Sequence, residues 1–182
     1  DRLGLRDDTI VIFTSDHGEM LGSHGRMRKS VWYDESMLVP FLMRAPGKAA
    51  PRRDDVLLST PDLCPTLLAL AGHADKIPEE LQGRDLSQVL CTGQGERPGS
   101  ALFINPGKER SLVGARGLRT HRYTYVIQRH IENPDDETIL LFDSESDPYQ
   151  MTNIADREPE TAQRLHQQLM EELVRIEDPW VA

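Results

Sequence analysis

At 182 residues the chain can bury one sizeable core with a small second lobe. Hydrophobic residues make up 38% and charged ones 28%, and no apolar run approaches the ~20 residues that a membrane-spanning helix needs. A net charge of −9 argues against nucleic acid and against an anionic membrane as partners, since both repel such a chain.

Residues 1–8 lack the basic start and apolar stretch of a signal peptide. Ile10 to Phe13 is β-branched or aromatic without polar alternation, which predicts a strand buried on both faces, as in an open parallel sheet. Ligands of such sheets gather beyond the carboxyl ends of the strands. Asp16 and His17 fall at that end, and Gly18 lets the backbone turn there. A carboxylate beside an imidazole suits a divalent metal, although Asp-His-Gly after a strand is more often a plain turn.

Leu21 to Arg28 reads as a loop over the sheet's end, with Arg26 and Arg28 facing the site, and Lys29 to Met37 has helix-compatible spacing. Phe41 to Met43 predicts a second buried strand, ended by Pro46-Gly47. Ser59 to Gly72 predicts a helix capped by Thr60 or Asp62, with prolines in its opening turn and Gly72 as its left-handed stop. Cys64 and Cys91 have no disulfide or metal spacing and read as packing residues. Thr92 to Ser100, rich in Gly, charge and Pro, marks a subdomain boundary. Beyond it, Leu102–Ile104, Leu112–Ala115, Tyr123–Ile127 and Ile139–Phe142 predict short strands, separated by turns at 105–107 and 133–136. Tyr123, Tyr125 and Ile127 share one face. The stripe Ala162, Leu165, Leu169, Leu173 and Ile176 predicts a helix over 160–176 that covers it.

The ordered elements Ser15-Asp16-His17-Gly18, Gly22-Ser23-His24-Gly25, Lys29, Val39-Pro40 and Pro46-Gly47 resemble the sulfatase family of the alkaline-phosphatase-like superfamily. Leu81-Gln82-Gly83-Arg84, Arg119-Thr120-His121-Arg122-Tyr123 and Leu141 to Ala155 extend the resemblance over nearly the whole chain. It implies an α/β fold, the carboxyl-terminal part of a sulfatase sandwich with a small antiparallel sheet and a packed terminal helix. Residues 1–95 would carry part of the α/β core and half of the metal and sulfate site, and residues 96–182 the antiparallel-sheet subdomain.

The resemblance also implies roles. Asp16 and His17 would hold a divalent metal, calcium by family habit, with manganese the alternative that imidazole chemistry suits better. Lys29 would contact the sulfate, and His24 would assist substrate binding or hold its loop. The family's nucleophile is a cysteine converted to formylglycine, followed two residues on by proline and four on by arginine. Cys64 has proline one residue on and Leu68 four on, so it is not that cysteine. Formylglycine is therefore expected in a missing amino-terminal part, and the rest of a sulfatase chain is needed to complete the site. The substrate implied is a sulfated sugar or aryl sulfate, the fragment alone being inactive. A phosphonate monoester or phosphodiester hydrolase, or a non-catalytic truncated binding module, stands as the alternative.

Overall fold

An apolar strand face needs a cover, and the strands in the second half of the chain find one on each side. The computed structural model describes residues 2–106, 112–130, 133 and 136–181. In chain order its elements are β1 (Val11–Phe13), α1 (Asp34–Met37), β2 (Leu42–Arg44), α2 (Thr60–Leu70), α3 (Ser87–Thr92), β3 (Ala101–Asn105), β4 (Gly114–Arg119), β5 (Tyr123–Arg129), β6 (Glu137–Asp143) and α4 (Pro159–Arg175). The chain divides into two units, residues 1–16 with 39–98, and residues 17–38 with 99–182. No helix among the described residues is long and apolar enough to cross a membrane.

In the first unit, β1 and β2 form an antiparallel pair, with Val11 opposite Arg44 and Phe13 opposite Leu42. This corrects the parallel, doubly buried strand expected for Ile10–Phe13: Val11 is 52% and Phe13 62% exposed. A β-branched run records strand propensity, but which neighbours pair with it and cover it is set elsewhere in the chain. The Ser59 N–H donates to the Asp62 carboxylate at 2.9 Å, so the cap of α2 lies one residue before Thr60. Pro65 lies inside α2 rather than in its opening turn, and it has no N–H to give the Pro61 carbonyl. Gly83 packs against that carbonyl so closely that a Cβ there would meet the Pro61 oxygen at 2.0 Å.

The second unit holds an antiparallel sheet in the order β3-β4-β5-β6. On one face Leu118, Tyr125, Ile127 and Leu141 meet Leu165, Leu169 and Leu173 of α4, and each of those three leucines is 0% exposed. Full burial of such a side chain contributes about 1.5–3 kcal/mol, which makes α4 the main lid of the core. Asn153 extends the edge beside β6, accepting from the Leu141 N–H at 2.9 Å and donating to the Ile139 carbonyl at 3.0 Å. The opposite face is covered as well, where Phe103, Ala115, Val126 and Phe142 pack with Trp32, and Tyr33 and Met37 lie against them. The segment expected to be helical over 29–37 is thus mostly a loop that lies on the sheet, with only Asp34–Met37 helical. The strand placed at Leu112–Ala115 begins at Gly114 and runs on to Arg119. Gly107, Pro134 and Asp135, parts of the two expected turns, lie outside the described residues.

Candidate active site

The segment His17–Met37 is folded back on itself by its own backbone. The Gly18 N–H donates to the Ser36 carbonyl at 2.9 Å, and a Cβ on Gly18 would sit 1.9 Å from the Glu35 oxygen, so only glycine fits there. Met20, 2% exposed, donates its N–H to the Arg28 carbonyl at 2.9 Å, and Gly22 donates to the Arg26 carbonyl at 2.8 Å. Between them Leu21 and His24 hold left-handed φ of 48° and 53°, and on the return Arg28 and Ser30 hold 70° and 71°. Non-glycine residues held there cost on the order of 1–3 kcal/mol each, and they persist because surrounding contacts impose them.

Those contacts are specific. The His24 ring stacks on Tyr33 with centroids 3.7 Å apart and planes 12° from parallel. Its Nε2 is buried and has no hydrogen-bond partner among the described residues. The Ser23 hydroxyl donates to Glu35 at 2.5 Å. Burial pushes the Glu35 carboxyl up, but the Ser23 hydroxyl, its own backbone N–H and the nearby His24 together bring it below the usual value. One residue earlier, Asp34 receives both prongs of the Arg119 guanidinium at 3.0 and 2.9 Å, and its N–H donates to Gln150 at 2.7 Å. Gln150, 1% exposed, continues to the Thr124 hydroxyl at 2.9 Å. Asn105, at the end of β3, donates to the Ser30 carbonyl at 2.8 Å. Nothing near the motif in sequence signals Arg119, Gln150 or Asn105 as supports, because they lie in the other half of the chain.

This loop brings Lys29 back to His17, with its Nζ hydrogen-bonded to Nε2 of the imidazole. The other ring nitrogen, Nδ1, lies 2.7 Å from the Gly18 carbonyl, which can only accept, so Nδ1 carries the proton. The Nε2 lone pair therefore accepts from Lys29, and this Nδ1-protonated tautomer is also the form of imidazole that binds metals. Asp16 is exposed and accepts from the Ser15 hydroxyl at 3.3 Å. The donor chemistry of Asp16 and His17, one hard oxygen and one imidazole nitrogen, fits a divalent cation. No group of three or more His, Cys, Asp or Glu among the described residues could hold one, so further ligands are needed. Cys64 and Cys91 are free thiols; Cys91 is half-buried, but Cys64 is exposed on α2 and is not the packing residue expected.

The sequence model of the sulfatase family matches residues 1–73. An endo-4-O-sulfatase of Bacteroides thetaiotaomicron is 41% identical, with 98% of this chain covered and 38% of the relative. A Bacteroides thetaiotaomicron structure, solved in work on glycosaminoglycan metabolism, superposes at a TM-score of 0.92 and 40% identity, covering 99% of this chain and 40% of its own. The phosphonate monoester hydrolase of Agrobacterium radiobacter superposes at 0.78 and 27% identity, covering 96% of this chain and 37% of its own. The chain thus spans about two fifths of the length of the relatives it matches. With similarity running through the motif loop, the antiparallel sheet and the terminal helix, this chain belongs to the sulfatase family and shares its alkaline-phosphatase-like α/β fold.

Proposed function

We propose that the chain supplies half of the active site of a metal-dependent sulfatase that hydrolyses sulfate esters of saccharides. The observation that carries this reading is the apposition of Lys29 and His17, with the imidazole tautomer fixed by the Gly18 carbonyl. Asp16 and His17 would hold the metal, calcium by family resemblance and manganese as the alternative. A divalent ion at such a site polarises the ester oxygens and orients the nucleophile. Lys29 places a compact ammonium against the sulfate oxygens and neutralises charge as the leaving oxygen departs. His24, stacked on Tyr33, holds the loop that presents Lys29. The formylglycine nucleophile and the remaining metal ligands would come from outside these residues.

The saccharide preference follows from the endo-4-O-sulfatase relative and the glycosaminoglycan context of the superposing structure. The phosphonate hydrolase likeness favours a second reading, in which the same metal loop and lysine serve a phosphonate monoester. Both readings are tested by measuring turnover of an aryl sulfate, a sulfated monosaccharide and an aryl phosphonate by the full protein and its Lys29→Ala variant. Sulfate turnover that collapses in the variant supports the first reading. Faster phosphonate turnover supports the second, and no turnover of any ester overturns both.

A further inference from the structure

The stretch from Met20 to Tyr33 contains Arg26, Arg28 and Lys29 and no Asp or Glu, in a chain whose net charge is −9. Lys29 is hydrogen-bonded to His17 and is the residue proposed above to meet the ester. Arg26 and Arg28 are exposed, and neither guanidinium has a hydrogen bond or ion pair with a described residue. Of the flanking acids, Asp34 is ion-paired to Arg119, while Glu35, bonded to the neutral Ser23 hydroxyl, and Glu19 keep their negative charge beside the three cations. The backbone under the arginines is fixed. Arg26 and Arg28 each give their carbonyl to the opposing strand of the loop, and Ser23 and His24 pin its tip to Glu35 and Tyr33. The positive charges therefore ride on a preorganised loop, and their ordering cost is largely met before any ligand arrives.

We propose that Arg26 and Arg28 form a subsite for a second anionic group, borne by the sugar next to the one whose ester Lys29 contacts. This rests on the sulfatase reading above and narrows its substrate class to polyanionic saccharides. Guanidinium forks suit this task, because they pair with carboxylate or sulfate oxygens through two parallel N–H donors and are weakly hydrated compared with an ammonium. Their distance in sequence from Lys29 is short enough that one chain of sugars can span both sites.

The test is calorimetric titration of the full protein at low salt, which reads binding without turnover. The probes are a glycosaminoglycan tetrasaccharide with alternating uronates and 4-O-sulfates, its carboxyl-reduced form, and a neutral-ring 4-O-sulfated monosaccharide. The Arg26→Ala/Arg28→Ala variant should bind the tetrasaccharide about ten-fold more weakly, the order expected for two exposed charge contacts. Its affinity should also fall less steeply with added salt than that of the wild type. The loss for the monosaccharide should be several-fold smaller. Arg26→Lys/Arg28→Lys keeps the charge and should retain at least about a third of the affinity, which separates charge from loop damage. If the variant's deficit vanishes on the carboxyl-reduced probe, the bound group is the uronate; if it persists, the group is a sulfate. Equal losses on tetrasaccharide and monosaccharide, a lysine variant as weak as the alanine one, an unchanged affinity, or no binding by the wild type would each overturn the subsite. Absence of ester turnover in wild-type protein that still binds through these arginines would sink the hydrolase reading and leave the subsite standing.

Discussion

Arg119 grips Asp34 through two nearly parallel N–H···O bonds across 85 residues of sequence, at 3.0 and 2.9 Å. That fork ties the end of β4 to the first turn of α1, the element that ends the segment carrying His17 and Lys29. Replacing Arg119 by alanine leaves a largely buried carboxylate without its partner and should cost about 1–3 kcal/mol of stability. Urea unfolding of Arg119→Ala, Asp34→Ala and the double variant gives the coupling directly. If the double variant is as unstable as the sum of the two singles, the fork contributes nothing of its own.

Gly18→Ala should be costlier than its size suggests. The new methyl meets the Glu35 carbonyl oxygen, a backbone atom that cannot swing aside, so either the 17–20 turn or α1 must move. Overpacking of this kind costs about 1–3 kcal/mol. A thermal melt unchanged from wild type would show that the turn has room the structure does not display.

Lys29→Ala should lower kcat for sulfate esters by about 10²–10³, or roughly 3–4 kcal/mol of transition-state stabilisation, the usual consequence of removing one preorganised contact to a developing oxyanion. If Asp16 holds the metal as proposed, Asp16→Ala should cost at least as much. Kinetics of both variants beside wild type decide this, and wild-type rates for Lys29→Ala on every ester would make the lysine a bystander.

Two carboxylates are held well below their usual range by arginines. Arg122 donates to Asp143 and holds its carboxyl down to about 2, and Arg97 does the same for Asp54, also to about 2. A depressed folded-state pKa stabilises the fold fully above the ordinary value of 3.8, and that contribution is lost as the pH falls through about 2. Arg122→Gln should therefore be less stable than wild type above pH ~4, with the gap closing toward pH ~2. Urea midpoints measured across that range test it, and a gap independent of pH would exclude the ion pair as its source.

Asp178 lies 2.8 Å from Arg116, with side chains 5% and 1% exposed, and Arg116 and Arg129 lie over the Trp180 ring. Asp178→Ala leaves a buried guanidinium unpaired and should destabilise the second unit by about 3–5 kcal/mol. A loss under ~1 kcal/mol would mean that water reaches Arg116.

Local patterns in the sequence were readable wherever one periodicity governs one element. The spacing of Leu165, Leu169 and Leu173 predicts both α4 and its buried face, and Tyr125 and Ile127 do face it. The cover over Val126 and Phe142 was not readable, since Trp32 and Tyr33 reach them from far away in the chain. The same blindness explains β1, whose apolar residues say strand but not which side is covered. In the candidate site, the motif names Asp16, His17, His24 and Lys29. The residues that hold the loop in shape, Tyr33, Glu35, Arg119 and Gln150, could not be read as its supports, although Arg119 and Gln150 lie in segments that resemble the family, because a hydrogen bond between distant residues leaves no periodic trace.

The sheet that backs the motif loop has a consequence for synthesis. Gln150 follows Asp34 by 116 residues, so the loop emerges from the ribosome well before the partner of its Asp34 N–H exists. Until the sheet is made, Trp32 lacks the cover of Phe103, Val126 and Phe142. Only when β3 to β6 and the Gln150 turn have followed are all of the loop's partners present, so the chemistry-bearing stretch takes its final shape from residues made after it.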